Sequence, residues 1–242
     1  MSNQTHTFDR DYFKNIDTSE KAYWLGFIYA DSYIFDCEPA RGLSIGISIE
    51  DINHLRKFKK SINASQDIVI YPQSPKMLGD QVIIGKDLCK IVIYGKELLE
   101  DLIKLGATPN KTLRENFPNS LSENFLPHFV RGYFDGDGSI FSNQRKFSKT
   151  YSINFVGQYG LLKNINQYIS SKCLIKESKI YQGEGKCYII TWGGNKSIKK
   201  IYNLLYVDDC CSLERKKILF QECIGQKFKD FKEPEHWSCK IH

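Results

Sequence analysis

A chain of 242 residues that is 41% hydrophobic and 26% charged can bury a sizeable core and is too apolar for wholesale disorder. No apolar run approaches the roughly 20 residues that span a bilayer, and the polar stretch Met1 to Arg10 lacks the apolar centre of a signal peptide. The expected setting is therefore cytoplasmic, or the interior of an organelle or phage host, neither secreted nor membrane-spanning. A net charge of +6, from 34 basic and 28 acidic residues, admits a polyanionic partner without requiring one.

Taken in chain order, the pattern predicts a helix over about residues 20–31, an extended stretch Leu43 to Ile49, and a helix Asp51 to Ile62 with Asp51 as its N-cap. Strands Asp67 to Tyr71 and Leu88 to Tyr94 follow, then an amphipathic helix Lys96 to Leu105 and a basic segment Asn110 to Glu115. Pro118-Asn-Ser120 marks a turn and helix start near the middle of the chain. A second helix over about 122–137 leads to strands Ser139 to Phe141 and Tyr151 to Val156, and a helix Tyr159 to Ile169. Strands Lys179 to Tyr181 and Cys187 to Trp192, a helix Asn195 to Tyr206 and a basic segment Leu213 to Lys217 complete the order. The eight cysteines, Cys37, Cys89, Cys173, Cys187, Cys210, Cys211, Cys223 and Cys239, form no C-x-x-C pair and read as reduced thiols rather than a zinc site; His236 and His242 near Cys239 read as part of a loose tail.

The same order of elements thus occurs twice. Lys21-Ala-Tyr-Trp-Leu-Gly-Phe-Ile-Tyr-Ala-Asp31 aligns with Pro127-His-Phe-Val-Arg-Gly-Tyr-Phe-Asp-Gly-Asp137, Gly26 falling on Gly132 and Asp31 on Asp137 at an offset of 106 residues. The expected architecture is α+β, in two similar halves, 1–117 and 118–242; an undivided two-layer α/β domain is the alternative. A glycine inside an apolar helix costs about 1 kcal/mol relative to alanine, and close approach of a second helix is the usual compensation. Two such helices packed on their glycine faces would bring Asp31 and Asp137 together at their C-terminal ends. Paired carboxylates repel unless a cation lies between them, and hard oxygen donors suit Mg²⁺.

The segments Trp24-Leu-Gly-Phe-Ile-Tyr-Ala-Asp31 and Phe129-Val-Arg-Gly-Tyr-Phe-Asp-Gly-Asp-Gly-Ser139 resemble the two signature helices of the LAGLIDADG homing endonucleases in their single-chain, two-motif form, over roughly residues 20 to 225. The resemblance implies two pseudo-symmetric αββαββα halves, saddle-shaped antiparallel sheets lying along the major groove, and a two-helix interface built on Gly26 and Gly132. It implies a monomer that hydrolyses both strands of a long, partly asymmetric double-stranded DNA target, as in the homing of an intron or other mobile element. Asp31 and Asp137 would hold the divalent cation, Mg²⁺ or Mn²⁺, with Ca²⁺ binding without supporting cleavage. Lys111 and Lys216 would be the active-site lysines, with Lys217 the alternate to the second. Gln158 would orient water, its first-half counterpart falling near Ile49 or Glu50. Arg41, Lys76, Arg145, Lys146, Lys149 and Lys186 are the candidate DNA contacts, three of them in the loop Ser142 to Lys149.

Two departures stand out. Asp135 has Tyr29 as its counterpart, and Ser32 stands where the second copy has Gly138, which predicts altered local geometry after Asp31. A non-cleaving RNA splicing maturase or transcription regulator on the same scaffold is the alternative function. A metabolic enzyme is disfavoured, since there is neither a glycine-rich nucleotide loop nor a nucleophile motif.

Overall fold

A computed structural model describes residues 6–78, 81–83, 85–109, 117–145, 148–208 and 211–225. The first half runs α1 (Ser19–Asp31), β1 (Ser32–Cys37), β2 (Ala40–Ser48), α2 (Ile52–Ser61), β3 (Val69–Tyr71), β4 (Lys76–Leu78), β5 (Gln81–Ile83), β6 (Leu88–Tyr94) and α3 (Lys96–Lys104). The second runs α4 (Leu126–Asp137), β7 (Gly138–Arg145), β8 (Ser148–Gly157), α5 (Tyr159–Cys173), β9 (Tyr181–Gln182), β10 (Tyr188–Gly193), α6 (Asn195–Leu205) and α7 (Glu214–Cys223). The four-stranded sheets have matching antiparallel orders, β1-β2-β6-β3 and β7-β8-β10-β9. The α+β architecture of two pseudo-symmetric halves is therefore present. No helix among the described residues is long and apolar enough to cross a membrane.

Period-two patterning explains the sheets. In the first half Leu43, Ile45 and Ile47 of β2 and Cys89, Ile91 and Ile93 of β6 are buried against Leu55 and Phe58 of α2 and Leu98, Leu99 and Leu102 of α3. In the second, Ile153 and Phe155 of β8 and Ile190 of β10 meet Leu162 and Ile165 of α5 and Ile198 and Leu205 of α6. The alternate residues face away from the helices.

Three sequence expectations shift. The stretch expected from Leu43 is the second arm of a hairpin whose first arm, β1, follows Asp31 without a break. A short β4–β5 hairpin lies between β3 and β6, where no strand was expected. Asp51 does occupy the N-cap position of α2, but its side chain makes no cap hydrogen bond. Its carboxylate instead accepts from Arg215 Nε of α7 at 3.0 and 3.1 Å, tying the end of the chain back to the first half.

Candidate active site at the helix seam

α1 starts on a side-chain cap, whereas α4 has none and starts on a proline. Thr18 Oγ1 accepts from Lys21 N at 3.2 Å, and Pro127 sits in the first turn of α4, where its missing N–H leaves no helical bond unmade. Both helices then bury an unbroken run, Ala22 to Tyr29 and His128 to Asp135, because each is enclosed by its own sheet and by the other helix. A Cβ on Gly26 would collide with the Phe129 carbonyl oxygen and stand 2.9 Å from Tyr133 N. One on Gly132 would collide with the Tyr23 carbonyl oxygen and stand 2.9 Å from Phe27 N. The two glycines thus make the same contact in opposite directions, as a two-fold relation requires. The seam expected from Gly26 and Gly132 is the one observed.

The residue three before each glycine meets the residue three after the other. Tyr29 packs edge-on against Phe129, ring centroids 5.1 Å apart, and Asp135 accepts a 2.7 Å hydrogen bond from the Tyr23 hydroxyl.

Past this packing the helices end side by side. A Cβ on Gly136 would run into Ala30 and stand 3.4 Å from Asp31 N. Asp31 and Asp137 are therefore the last residues of two touching helices, both partly exposed. Two carboxylates and two helix C-termini concentrate negative potential at one place. Among the described residues Lys216, only 4% exposed, answers it. Its ammonium donates to the carbonyls of Phe134 (2.8 Å), Asp135 (2.6 Å), Gly136 (3.3 Å) and Gly138 (2.6 Å). Burial pulls its pKa down to about 8, while the charges of Asp135, Asp31 and Asp137 oppose that shift and Arg215 adds to it. Lys216 thus stands at the acidic pair as expected, but its protons are directed into main-chain carbonyls.

Ser32 does not alter the backbone as expected. Its φ and ψ, −104° and 157°, nearly equal those of Gly138, −99° and 165°. The difference lies in the side chains: a Cβ at Gly138 would run into the Phe134 ring, whereas Ile28 leaves room for Ser32, whose hydroxyl donates to Ile28 O at 2.7 Å.

Gln158 holds the N-cap position of α5 without making a side-chain cap bond. Ser32 pairs with Ile45 and Gly138 with Phe155. Three residues beyond those partners stand Ser48 and Gln158, so the first-half counterpart of Gln158 is Ser48, not Ile49 or Glu50. Both lie at the sheet end from which the aspartates emerge. Lys111 and Lys146 lie outside the described residues, as do the side chains of Lys76 and Arg145. Lys186 is exposed in the turn before β10.

Two candidate DNA contacts are held by acidic neighbours on the helix side of their sheets. Arg41 shares the parity of Leu43 and Ile45 and is paired with Asp36 at 2.6 Å and Glu38 at 3.5 Å. Lys149 shares the parity of Tyr151 and Ile153 and is paired with Glu222 of α7 at 3.2 Å. Both point to the helix side of their sheets, where an acidic partner occupies them. The open face of the first sheet carries Tyr33, Val69, Tyr71, Lys90, Val92 and Tyr94; beside it a cavity of about 590 Å³ is also lined by His6 and Arg10. The open face of the second carries Ser139, Phe141, Ser152, Asn154 and Thr191.

A buried polar network also escaped the sequence reading. Arg131, wholly buried, donates to Leu205 O at 2.9 Å and Asp208 Oδ1 at 3.1 Å, and lies between the rings of Tyr23 and Tyr206. Tyr23 gives its proton to Asp135, so His54 Nε2, 2.9 Å from the same oxygen, is the donor of that contact. Burial, with nearby Lys57, Lys216 and Arg215, pushes the His54 pKa down to about 3, which keeps the ring neutral. Arg131 and Asp135, two charged residues within the buried run of α4, were the signal that could have revealed the network.

Among the described residues no group of three or more His, Cys, Asp or Glu side chains comes together. A cation at the seam would rest on the paired aspartates, a hard, oxygen-only set that fits Mg²⁺ with retained water.

By sequence the chain matches no family model and no curated protein. By structure it is similar to the LAGLIDADG meganuclease I-AabMI bound to uncleaved DNA (11% identity, 86% of this chain and 90% of that one, TM-score 0.53). It is likewise similar to I-SmaMI bound to an uncleavable DNA (15%, 84% and 86%, 0.53) and to the homing endonuclease I-WcaI bound to its recognition sequence (16%, 86% and 91%, 0.58). The chain therefore has the fold of the single-chain, two-motif LAGLIDADG homing endonucleases.

Proposed function

We propose that this protein is a site-specific, divalent-metal-dependent double-stranded DNA endonuclease that acts as a monomer. The observation that carries the reading is the convergence of Asp31 and Asp137 at the ends of two glycine-packed helices, each running directly into the first strand of a sheet with an open face. Solved structures of the same fold are described as bound to DNA. One protein chain supplies both halves, so a duplex can be held on the two open faces with its two strands near the two acids.

Asp31 and Asp137 would hold Mg²⁺ or Mn²⁺; a bound cation supplies charge neutralisation at the scissile phosphate and an activated water. Gln158 stands at the sheet end beside Asp137, positioned to orient a water by hydrogen bonding. Lys216 fixes the turn that carries Asp137. Basic side chains, among them Lys90 on the open face of the first sheet, Arg10 beside it and Lys186 in the turn before β10, would meet phosphates, and alternate residues of the open faces would meet base edges.

The test is strand-resolved cleavage of a selected duplex with Mg²⁺. Asp31→Asn and Asp137→Asn should each abolish double-strand cleavage while leaving the duplex affinity within about threefold, as expected when only charge at the metal is lost. Full cleavage by either variant overturns the assignment. A tightly bound duplex that wild-type protein leaves intact would give the scaffold to the non-cleaving RNA-splicing or regulatory role.

A further inference from the structure

We infer that Asp135 is a positioning residue for the Asp137 site, acting through Leu213 and Lys216 and itself fixed by Tyr23 and His54 of the opposite half. The inference rests on the endonuclease reading above.

Asp135 is 1% exposed. Its Oδ2 accepts from Tyr23 Oη at 2.7 Å and from Leu213 N at 2.7 Å, and its Oδ1 lies 3.5 Å from the Tyr206 hydroxyl. Leu213 is the N-cap residue of α7, and its carbonyl accepts from Lys216 N at 3.0 Å. The carboxylate thus holds the entry of α7 at a fixed distance from α4. One turn further on, Lys216 reaches back to the carbonyls that flank Asp137 on both sides, Gly136 and Gly138. The path is a closed loop: Asp135 fixes Leu213, Leu213 starts α7, and Lys216 on α7 fixes the turn after Asp135.

What holds Asp135 comes from the first half. Tyr23 lies on α1, the helix that ends in Asp31, and His54 on α2 donates to the same hydroxyl. A carboxylate buried with only one donor would rotate or take up a proton; two strong donors on one oxygen lock its rotamer. In the first half Tyr29, at the position of Asp135, donates to Leu105 O at 2.7 Å.

The consequence is crossed. Loss of the Tyr23 hydroxyl should disturb the site at Asp137, although Tyr23 belongs to the helix of Asp31. The experiment uses the full chain, Mg²⁺ and a duplex labelled on each strand separately, with Asp31→Asn and Asp137→Asn first assigning each strand to its aspartate. Tyr23→Phe, which removes one oxygen and keeps the ring, should slow the Asp137-dependent strand about tenfold and leave the other within about twofold, the usual scale for losing a supporting hydrogen bond behind a metal site. Asp135→Asn should bias cleavage in the same sense and more strongly; if it fails to fold, Tyr23→Phe alone decides. Equal slowing of both strands, or selective slowing of the Asp31-dependent strand, overturns the inference and leaves the endonuclease reading standing. Wild-type protein that cuts neither strand overturns both.

Discussion

The two motif helices end in nearly identical backbone and in different chemistry. At α1 the carbonyl of Ile28 is met by the Ser32 hydroxyl, a neutral group four residues on. At α4 the equivalent carbonyl of Phe134 is met by Lys216, a charged group from 82 residues away. The Ser32 bond lies within the turn itself. The distant one makes the geometry at Asp137 contingent on α7, on Leu213 and on the buried network behind it. Among the described residues the two sites share one backbone shape and differ in the side chain that meets this carbonyl.

The largest expected effect is where the halves should not differ. Gly26→Ala and Gly132→Ala each push a methyl group into a carbonyl of the facing helix, and each should cost about 3 kcal/mol or more by chemical denaturation. A large difference between them would break the two-fold reading of the seam.

Next comes the difference itself. Lys216→Met leaves several C-terminal carbonyls of α4 buried without that donor and should cost about 2 kcal/mol, whereas Ser32→Ala, after which Ser32 N–H still reaches Ile28 O, should cost about 0.5 kcal/mol. Equal losses would mean that the two ends are held alike.

The last effect is spread over a range of pH. His54 is neutral in the fold with its pKa near 3, while an unfolded histidine takes up its proton near 6.5. Between those values the unfolded state binds the extra proton, so stability falls as pH falls from about 6.5 towards 3, by about 1.4 kcal/mol per unit for this one group, and is fully present above 6.5. His54→Gln should make that acid limb shallower in thermal melts taken across the range. An unchanged slope would show that the histidine is not held neutral by its place in the network.

Much of this was legible in the sequence because it is local or periodic. The repeat, the glycines and the terminal aspartates sit at fixed spacings, and the strands announce themselves by alternation. What was not legible depends on pairing. Arg41 and Lys149 read as free basic residues until strand register turned them to the helix side, where Asp36 and Glu222 hold them. Lys216 was found by its position near the end of the repeat, but its engagement with four carbonyls required knowing where α7 returns. The cross-seam bonds of Tyr23, His54 and Asp135 join residues 31 and 112 positions apart, a separation no spacing rule covers.

One contact pair at the seam also decides which halves can associate. Tyr29 lies on Phe129 and Asp135 on Tyr23, so each half presents a motif suited to the other and ill suited to itself. A chain assembled from two second halves would set both buried carboxylates against phenyl rings that carry no proton to donate. One assembled from two first halves would press tyrosine against tyrosine and hold no acid at that level. The duplicated halves have become complementary rather than interchangeable, and a half grafted from another scaffold would have to bring a hydroxyl opposite Asp135 to be accepted.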